Sequence, residues 1–216
     1  MKSYVVIGLG RFGSEVARQL CAQGCEVLAI DTEQELVQRI SENVTQAVVA
    51  DARDKGVLRA LGVKDFDCAV VGIGGDLGNS VLTVMNLKEL GVPFVVCKAH
   101  DETHRQVLVK LGADRVVIPE MENACRLAKS LASENVLDYI ELSEDYGIID
   151  VPAPTVWEGK SLIELNVRAK LGVNILAIKR DGGITVSPSA DFRIAGGDVV
   201  VILGDNAALK AVQKLK

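Results

Sequence analysis

Short runs of β-branched and aliphatic residues alternate, over the first two thirds of the chain, with longer stretches whose apolar positions recur every three or four residues. The short runs lie at residues 5–7, 27–30, 47–50, 68–72, 94–97 and 115–118, and their near-continuous apolar character suits strands buried on both faces. A helix carrying Val16, Ala17 and Leu20 follows the first run, and helices at 34–41, 55–61, 79–90, 103–111 and 122–133 follow the others. Strand and helix in regular alternation predict an α/β fold, a parallel, doubly wound sheet of Rossmann type.

The rhythm changes near residue 135. What remains predicts a strand at 148–151, a proline-bearing stretch at 151–157, a short helix at 162–165 and a strand at 174–178. A turn at Asp181-Gly182-Gly183, strands at 184–186 and 199–203, and a closing helix from Asn206 complete it. This order predicts a small α+β domain held together by strand pairing, so the chain is expected to divide into residues 1–134 and 135–216.

Composition adds limits. Of the 216 residues 49% are hydrophobic and 25% charged, as in ordinary globular proteins, and only 4% are aromatic, so the core is expected to be aliphatic. The longest apolar runs fall far short of the ~20 residues that cross a bilayer, and Lys2 is followed at once by the first strand, so a cytoplasmic protein without a signal peptide is expected. A net charge of −5 with no basic run argues against nucleic acid as a partner. Five cysteines, Cys21, Cys25, Cys68, Cys97 and Cys125, form no C-x-x-C and read as buried, reduced thiols.

The first strand runs into Gly8-x-Gly10-x-x-Gly13. Between a strand and a helix, Gly8 permits a sharp turn, Gly10 lets the backbone approach a phosphate, and Gly13 lets the helix pack closely on the strand. The helix N-terminus then offers free N–H groups to an anion. The second strand ends at Asp31, where a carboxylate can accept hydrogen bonds from ribose hydroxyls and disfavours a 2′-phosphate. These residues predict a nucleotide site.

A dehydrogenase would need, beyond that cradle, a proton donor or acceptor in a substrate-holding region. Neither of the two histidines lies in the second domain, and no nucleophile and base pair is visible there, which favours a binding module over an enzyme. His100 and His104, four apart with Asp101 between them, admit a metal, but Asp101 reads more simply as a helix cap. Glu120 follows the last strand of the sheet, at the edge where ligands of such sheets gather, and reads equally well as a solvated carboxylate at a helix start.

The stretches "VIGLGRFG", "AIDTE", "LKELGVP" and "LGADRVVIPE", with "LIELNVRAKLGVNILAIKRDG" and "GGDVVVILG" in the second domain, together resemble the cytosolic regulatory subunits of Ktr and Trk potassium transporters. In those an RCK N-domain (TrkA-N) precedes an RCK C-domain (TrkA-C). The resemblance is greatest to the Ktr type and covers essentially the whole chain. It implies a homo-oligomeric ring, commonly an octamer, at the inner face of the membrane beneath a channel subunit of the KtrB or TrkH type, opened or closed by the bound nucleotide. An NAD-dependent oxidoreductase and a nucleotide-sensing repressor are the alternatives; the second lacks a DNA-binding element ahead of the first strand.

Carried over by position, the resemblance implies that Gly8, Gly10 and Gly13 lie against the phosphates of ATP, ADP or NAD(H), that Asp31 holds the ribose, and that Asp51, Ala52, Ile73 and Gly74 border the adenosine. Arg11 would reach the terminal phosphates of ATP, with Phe12, Thr32 and Lys98 completing the set. Glu120 would stand near the nucleotides at a dimer interface, where a divalent cation such as magnesium or calcium can bind. In the second domain it implies a cyclic di-AMP site at Leu162, Ile163, Asn166, Arg168, Asn174, Ile175 and Pro188, apolar walls for the bases and an arginine for phosphate.

Overall fold

The computed structural model describes residues 1–132 and 136–215, so the expected boundary between 134 and 135 lies outside the described residues. The chain forms two compact units, Met1–Met121 and Glu122–Lys216.

The first unit runs β1 (Ser3–Ile7), α1 (Arg11–Ala22), β2 (Glu26–Asp31), α2 (Gln34–Ile40), β3 (Gln46–Val49), α3 (Lys55–Ala60), β4 (Cys68–Val71), α4 (Leu77–Glu89), β5 (Val95–Lys98), α5 (Glu102–Lys110) and β6 (Arg115–Val117). Helix α6 (Pro119–Leu131) follows, and most of it belongs to the second unit. The strands pair in parallel in the order β3-β2-β1-β4-β5-β6, the arrangement of a dinucleotide-binding sheet. Strand alternation sorts the core into two layers. Val5 and Ile7 of β1, Leu28 and Ile30 of β2 and Ala69 and Val71 of β4 pack with Leu58, Leu87 and Leu108 from α3, α4 and α5. Val6, Val27, Ala29 and Val70 point the other way, onto Ala17 of α1 and Val37 and Ile40 of α2. Both faces are therefore covered, as the uninterrupted apolar runs require.

Aspartates start three of these helices. Asp54, Asp76 and Asp101 accept hydrogen bonds from first-turn N–H groups of α3, α4 and α5. Helix α1 differs: its N-cap is Gly10, with no side-chain cap and no acidic residue in its first turn.

The second unit contains β7 (Asp138–Glu141), β8 (Tyr146–Pro152), α7 (Leu162–Leu165), α8 (Val167–Leu171), β9 (Asn174–Arg180), β10 (Gly183–Val186), β11 (Val199–Asp205) and α9 (Asn206–Gln213). Its antiparallel sheet has the order β10-β9-β11-β8-β7. Ile149 and Val151, Ile178, and Val200 and Ile202 face a core closed by Trp157, Leu165, Leu209 and Val212. Strand β7 and helix α8 go beyond the sequence expectation. "DYIE" carries little apolar signal and is an edge strand, while α8 is five residues long and follows α7 directly through Asn166, whose φ is +46°. Asparagine tolerates that left-handed conformation better than most residues. Among the described residues no helix is long and apolar enough to cross a membrane.

The thiols fit the expectation in part. Cys68 and Cys97 are buried, which pushes their pKa values up to about 11 and about 12, whereas Cys21 and Cys25 are half-buried and Cys125 is exposed on α6.

Candidate functional site

The chain reverses between β1 and α1 because Gly8 adopts φ +88° and its N–H donates to the Ile30 carbonyl at 2.9 Å. A Cβ on Gly13 would run into the Gly8 carbonyl oxygen, and one on Gly72, beyond β4, would come within 2.8 Å of the same atom. The two turns flanking the centre of the sheet are thus packed backbone against backbone. A Cβ on Gly10 would meet nothing within 4 Å, so that glycine faces open space. Of the three motif glycines, Gly8 and Gly10 line the cleft, while Gly13 is buried behind them.

The cleft has two arms sharing Gly10, Gly72, Gly74 and Gly75. The first, about 420 Å³, is bordered by Asp31, Thr32, Asp51, Ala52 and Ile73. Asp31 accepts hydrogen bonds from the backbone N–H groups of Leu9 (2.5 Å) and Glu33 (2.9 Å), and each carboxylate oxygen retains a lone pair for a further donor. Asp51 is gripped by Arg53: Nε donates to both of its oxygens (2.9 and 3.1 Å) and the terminal nitrogen Nη2 donates to Oδ2 at 2.6 Å. These bonds, the side-chain ones above all, hold the Asp51 carboxyl below the usual range.

The second arm, about 520 Å³, is lined by Arg11, Phe12, Lys98 and Glu120 around the shared glycines. Lys98 Nζ donates to Glu120 Oε1 at 2.5 Å and lies 5.8 Å from the centre of the Phe12 ring. That hydrogen bond is the main cause holding the Glu120 carboxyl below its ordinary value, with the Arg11 charge a smaller contribution. The uncapped start of α1 adds free N–H groups and the positive end of its dipole. Carboxylates at one end suit hydroxyl and amino donors, and cations at the other suit phosphate; the combined size matches ligand pockets in general.

Arg53, Gly72, Gly75, Asp76, Asn79 and Thr83 also line the first arm and went unrecognised in the sequence. A signal existed. "GIGG" follows β4, which pairs with β1 on the side opposite β2, so this turn sits where the strand order reverses and ligands of such sheets collect.

The histidines follow the simpler of their two readings. Asp101 accepts from the His104 N–H at 2.7 Å and caps α5. The His104 ring is buried, 2.6 Å from Ser80 Oγ and 2.7 Å from His100 Nδ1, and burial pulls its pKa down. Among the described residues no group of three or more His, Cys, Asp or Glu side chains could hold a metal ion, so Glu120 is a single carboxylate with a lysine partner.

In the second unit Leu162, Ile163, Asn166 and Arg168 follow one another through α7 and α8, and Asn174 and Ile175 begin β9. Ile163 is 65% exposed. Its N–H bonds the Ala190 carbonyl and the Leu162 N–H bonds that of Phe192, fastening α7 to the segment that follows Pro188. A capping box between Ser161 and Glu164 sets the start of α7.

The TrkA-N domain model matches residues 4–119 and the TrkA-C domain model matches residues 147–216. Ktr system potassium uptake protein C of Bacillus subtilis (strain 168) is 40% identical over 213 residues, 99% of this chain and 96% of that protein. Protein A of the same system and organism is 43% identical over 209 residues, 97% of this chain and 94% of that one. In fold the chain resembles a solved GsuK channel bound to NAD, with a TM-score of 0.69 at 17% identity over 99% of this chain and 39% of that one. Because one matched stretch falls in each folded unit and the likeness runs nearly end to end through both Bacillus relatives, the chain belongs to the TrkA-N/TrkA-C family of Ktr potassium uptake proteins.

Proposed function

We propose that this chain is a nucleotide-sensing regulatory subunit that assembles with copies of itself as a ring, in the octameric form common in the family, and gates a membrane potassium channel or transporter subunit of the KtrB or TrkH type. It works in the cytoplasm at the inner face of the membrane and has no catalytic role. The observation that carries this reading is the division of unpaired charge along one cleft: Asp31 borders one arm, where Asp51 is already paired with Arg53, Arg11 borders the other, where Lys98 is already paired with Glu120, and bare glycine backbone joins them. ATP, ADP and NAD(H) all have adenosine at one end and a string of phosphate charge beyond it, which fits that order. Asp31 takes the ribose, Gly8 and Gly10 leave room for the phosphates, and Arg11 meets the last of them with a fixed charge and forked donors.

Gating needs a ligand with unequal affinity for two arrangements of the ring, and phosphate number is the difference that ATP and ADP offer. The second unit adds a cyclic di-AMP site, with Leu162, Ile163 and Ile175 against the bases and Arg168 against phosphate, doubled when two copies pair about a two-fold axis. A divalent cation at Glu120 would need the nucleotide's phosphates and a second copy of the chain as further ligands, because among the described residues this carboxylate stands alone beside Lys98.

Equilibrium dialysis of the purified chain against ATP, ADP and NADH, combined with light scattering, tests this. Binding without turnover, an unchanged NADH absorbance in the presence of carbonyl substrates, and the mass of a multi-copy assembly are expected. A monomer across micromolar concentrations, or steady oxidation of NADH, would overturn the reading.

A further inference from the structure

We propose that Glu120 occupies Lys98 in place of a phosphate, so that this ion pair sets how many phosphate groups a nucleotide must carry to bind well. The inference rests on the nucleotide reading above and concerns which member of the pair is fixed and which is free to leave.

Lys98 is the fixed one. It ends β5, only 16% of its side chain is exposed, its ammonium approaches the Phe12 ring, and its stem runs beside Gly74. A Cβ on Gly74 would come within 3.2–3.4 Å of Lys98 Cε, Cδ and Nζ, so the absence of a side chain there keeps the lysine's slot open. Glu120 is 63% exposed and reaches Lys98 from the first turn of α6. A carboxylate leaving Lys98 would still sit at the positive end of that helix, with solvent around it, which keeps its release inexpensive.

The exchange is one anion for another on the same ammonium. Two cations line this arm, but Lys98 is neutralised by Glu120 and only the exposed Arg11 meets an incoming phosphate outright. A short phosphate chain that stops short of both cations leaves the pair in place and feels the Glu120 charge as repulsion. A longer, more highly charged chain can take Lys98 and push Glu120 aside. The pair therefore acts as a threshold on phosphate charge, whereas a surface ion pair with no such role contributes little to anything.

The test is calorimetric titration of ATP, ADP and adenosine into the full-length chain in EDTA, comparing wild type, Glu120→Gln, Lys98→Met and the double variant, with circular dichroism to verify folding. Glu120→Gln should raise ATP affinity about two- to fivefold, the range set by a partly shielded ion pair. The gain should be smaller for ADP, absent for adenosine, and lost when Lys98→Met is combined with it. Unchanged ATP affinity in Glu120→Gln, an equal gain for all three ligands, or a gain that survives Lys98→Met would overturn the proposal. If neither ATP nor ADP binds any of the folded proteins, the nucleotide site itself is refuted, a different result from binding that ignores Glu120.

Discussion

The carboxylate of Asp31 and the backbone N–H of Leu9 meet at 2.5 Å, so the residue that ends β2 also pins the turn that leaves β1. Asp31→Ala should therefore act twice. It removes the carboxylate proposed for the ribose hydroxyls, and it leaves a part-buried N–H without its partner, a cost of about 1–3 kcal/mol. Asp31→Asn keeps an oxygen for Leu9 and should retain most of the stability while weakening nucleotide binding. Urea midpoints read beside ligand titrations will separate the two effects; loss of affinity in Asp31→Ala at unchanged stability would show that the Leu9 bond contributes nothing.

Gly10 and Gly13 should respond oppositely to the same substitution. Gly13→Ala forces a methyl group into the Gly8 carbonyl and should destabilise the fold by about 1–3 kcal/mol, as overpacking does. Gly10→Ala points its methyl group into open space, costs less than about 1 kcal/mol as a change of helix cap, and should instead obstruct the phosphates. Thermal melts with and without ATP distinguish them: only Gly10→Ala should melt near wild type yet gain no stability from ATP.

Arg11→Ala should weaken ATP more than ADP, by about 1.5–3 kcal/mol for a lost charged hydrogen bond to the last phosphate. Equal losses for both nucleotides in calorimetry would assign Arg11 some other task.

Acid should loosen the second unit through Asp198. Its side chain is fully buried, accepts two hydrogen bonds from Arg180 (2.7 and 2.8 Å) and one from the Ala195 N–H (2.8 Å), and is held below its ordinary pKa chiefly by Arg180. A carboxyl depressed on folding stabilises the native state above its unfolded value near 3.9, and the contribution fades as pH falls through the folded value. Emission of Trp157, the chain's single tryptophan and a buried residue of this unit, reports the transition. Asp198→Asn should cost about 1–3 kcal/mol at neutral pH and flatten the acid dependence; an unaltered acid limb would exclude Asp198 as its source.

Arg168→Ala in the full-length chain should abolish cyclic di-AMP binding and leave the mass in solution unchanged. Retained binding would reduce Arg168 to a surface charge, and a lower mass would make it part of the subunit contact instead.

The doubly wound sheet was legible because strands buried on both faces leave unbroken apolar runs, and 27–30 or 68–72 cannot be mistaken for anything half-solvated. Asp31 was legible for a similar reason, as the polar residue at which such a run stops. Arg53 and Asn79 were missed because one stands in the β3–α3 connection and the other in the first turn of α4, and nothing in their spacing says that these places meet. Strand β7 escaped because an edge strand pairs on one side only and needs little apolar character. The pairing of Lys98 with Glu120 depends on two neighbouring parallel strands, β5 and β6, bringing their ends together, a consequence of topology that residue spacing does not reveal.

The contact of Gly8 with Gly13 and Gly72 bears on the thermodynamics of association. Three backbones touching without side chains between them leave no slack for either turn to adjust, so the floor of the cleft has its bound shape in advance. Ordering a flexible loop on capture would subtract from affinity and slow the encounter; here that penalty is confined to a few side chains at the rim, Arg11 and Glu120 foremost. Nucleotide capture should then be quick, with a rate set by concentration.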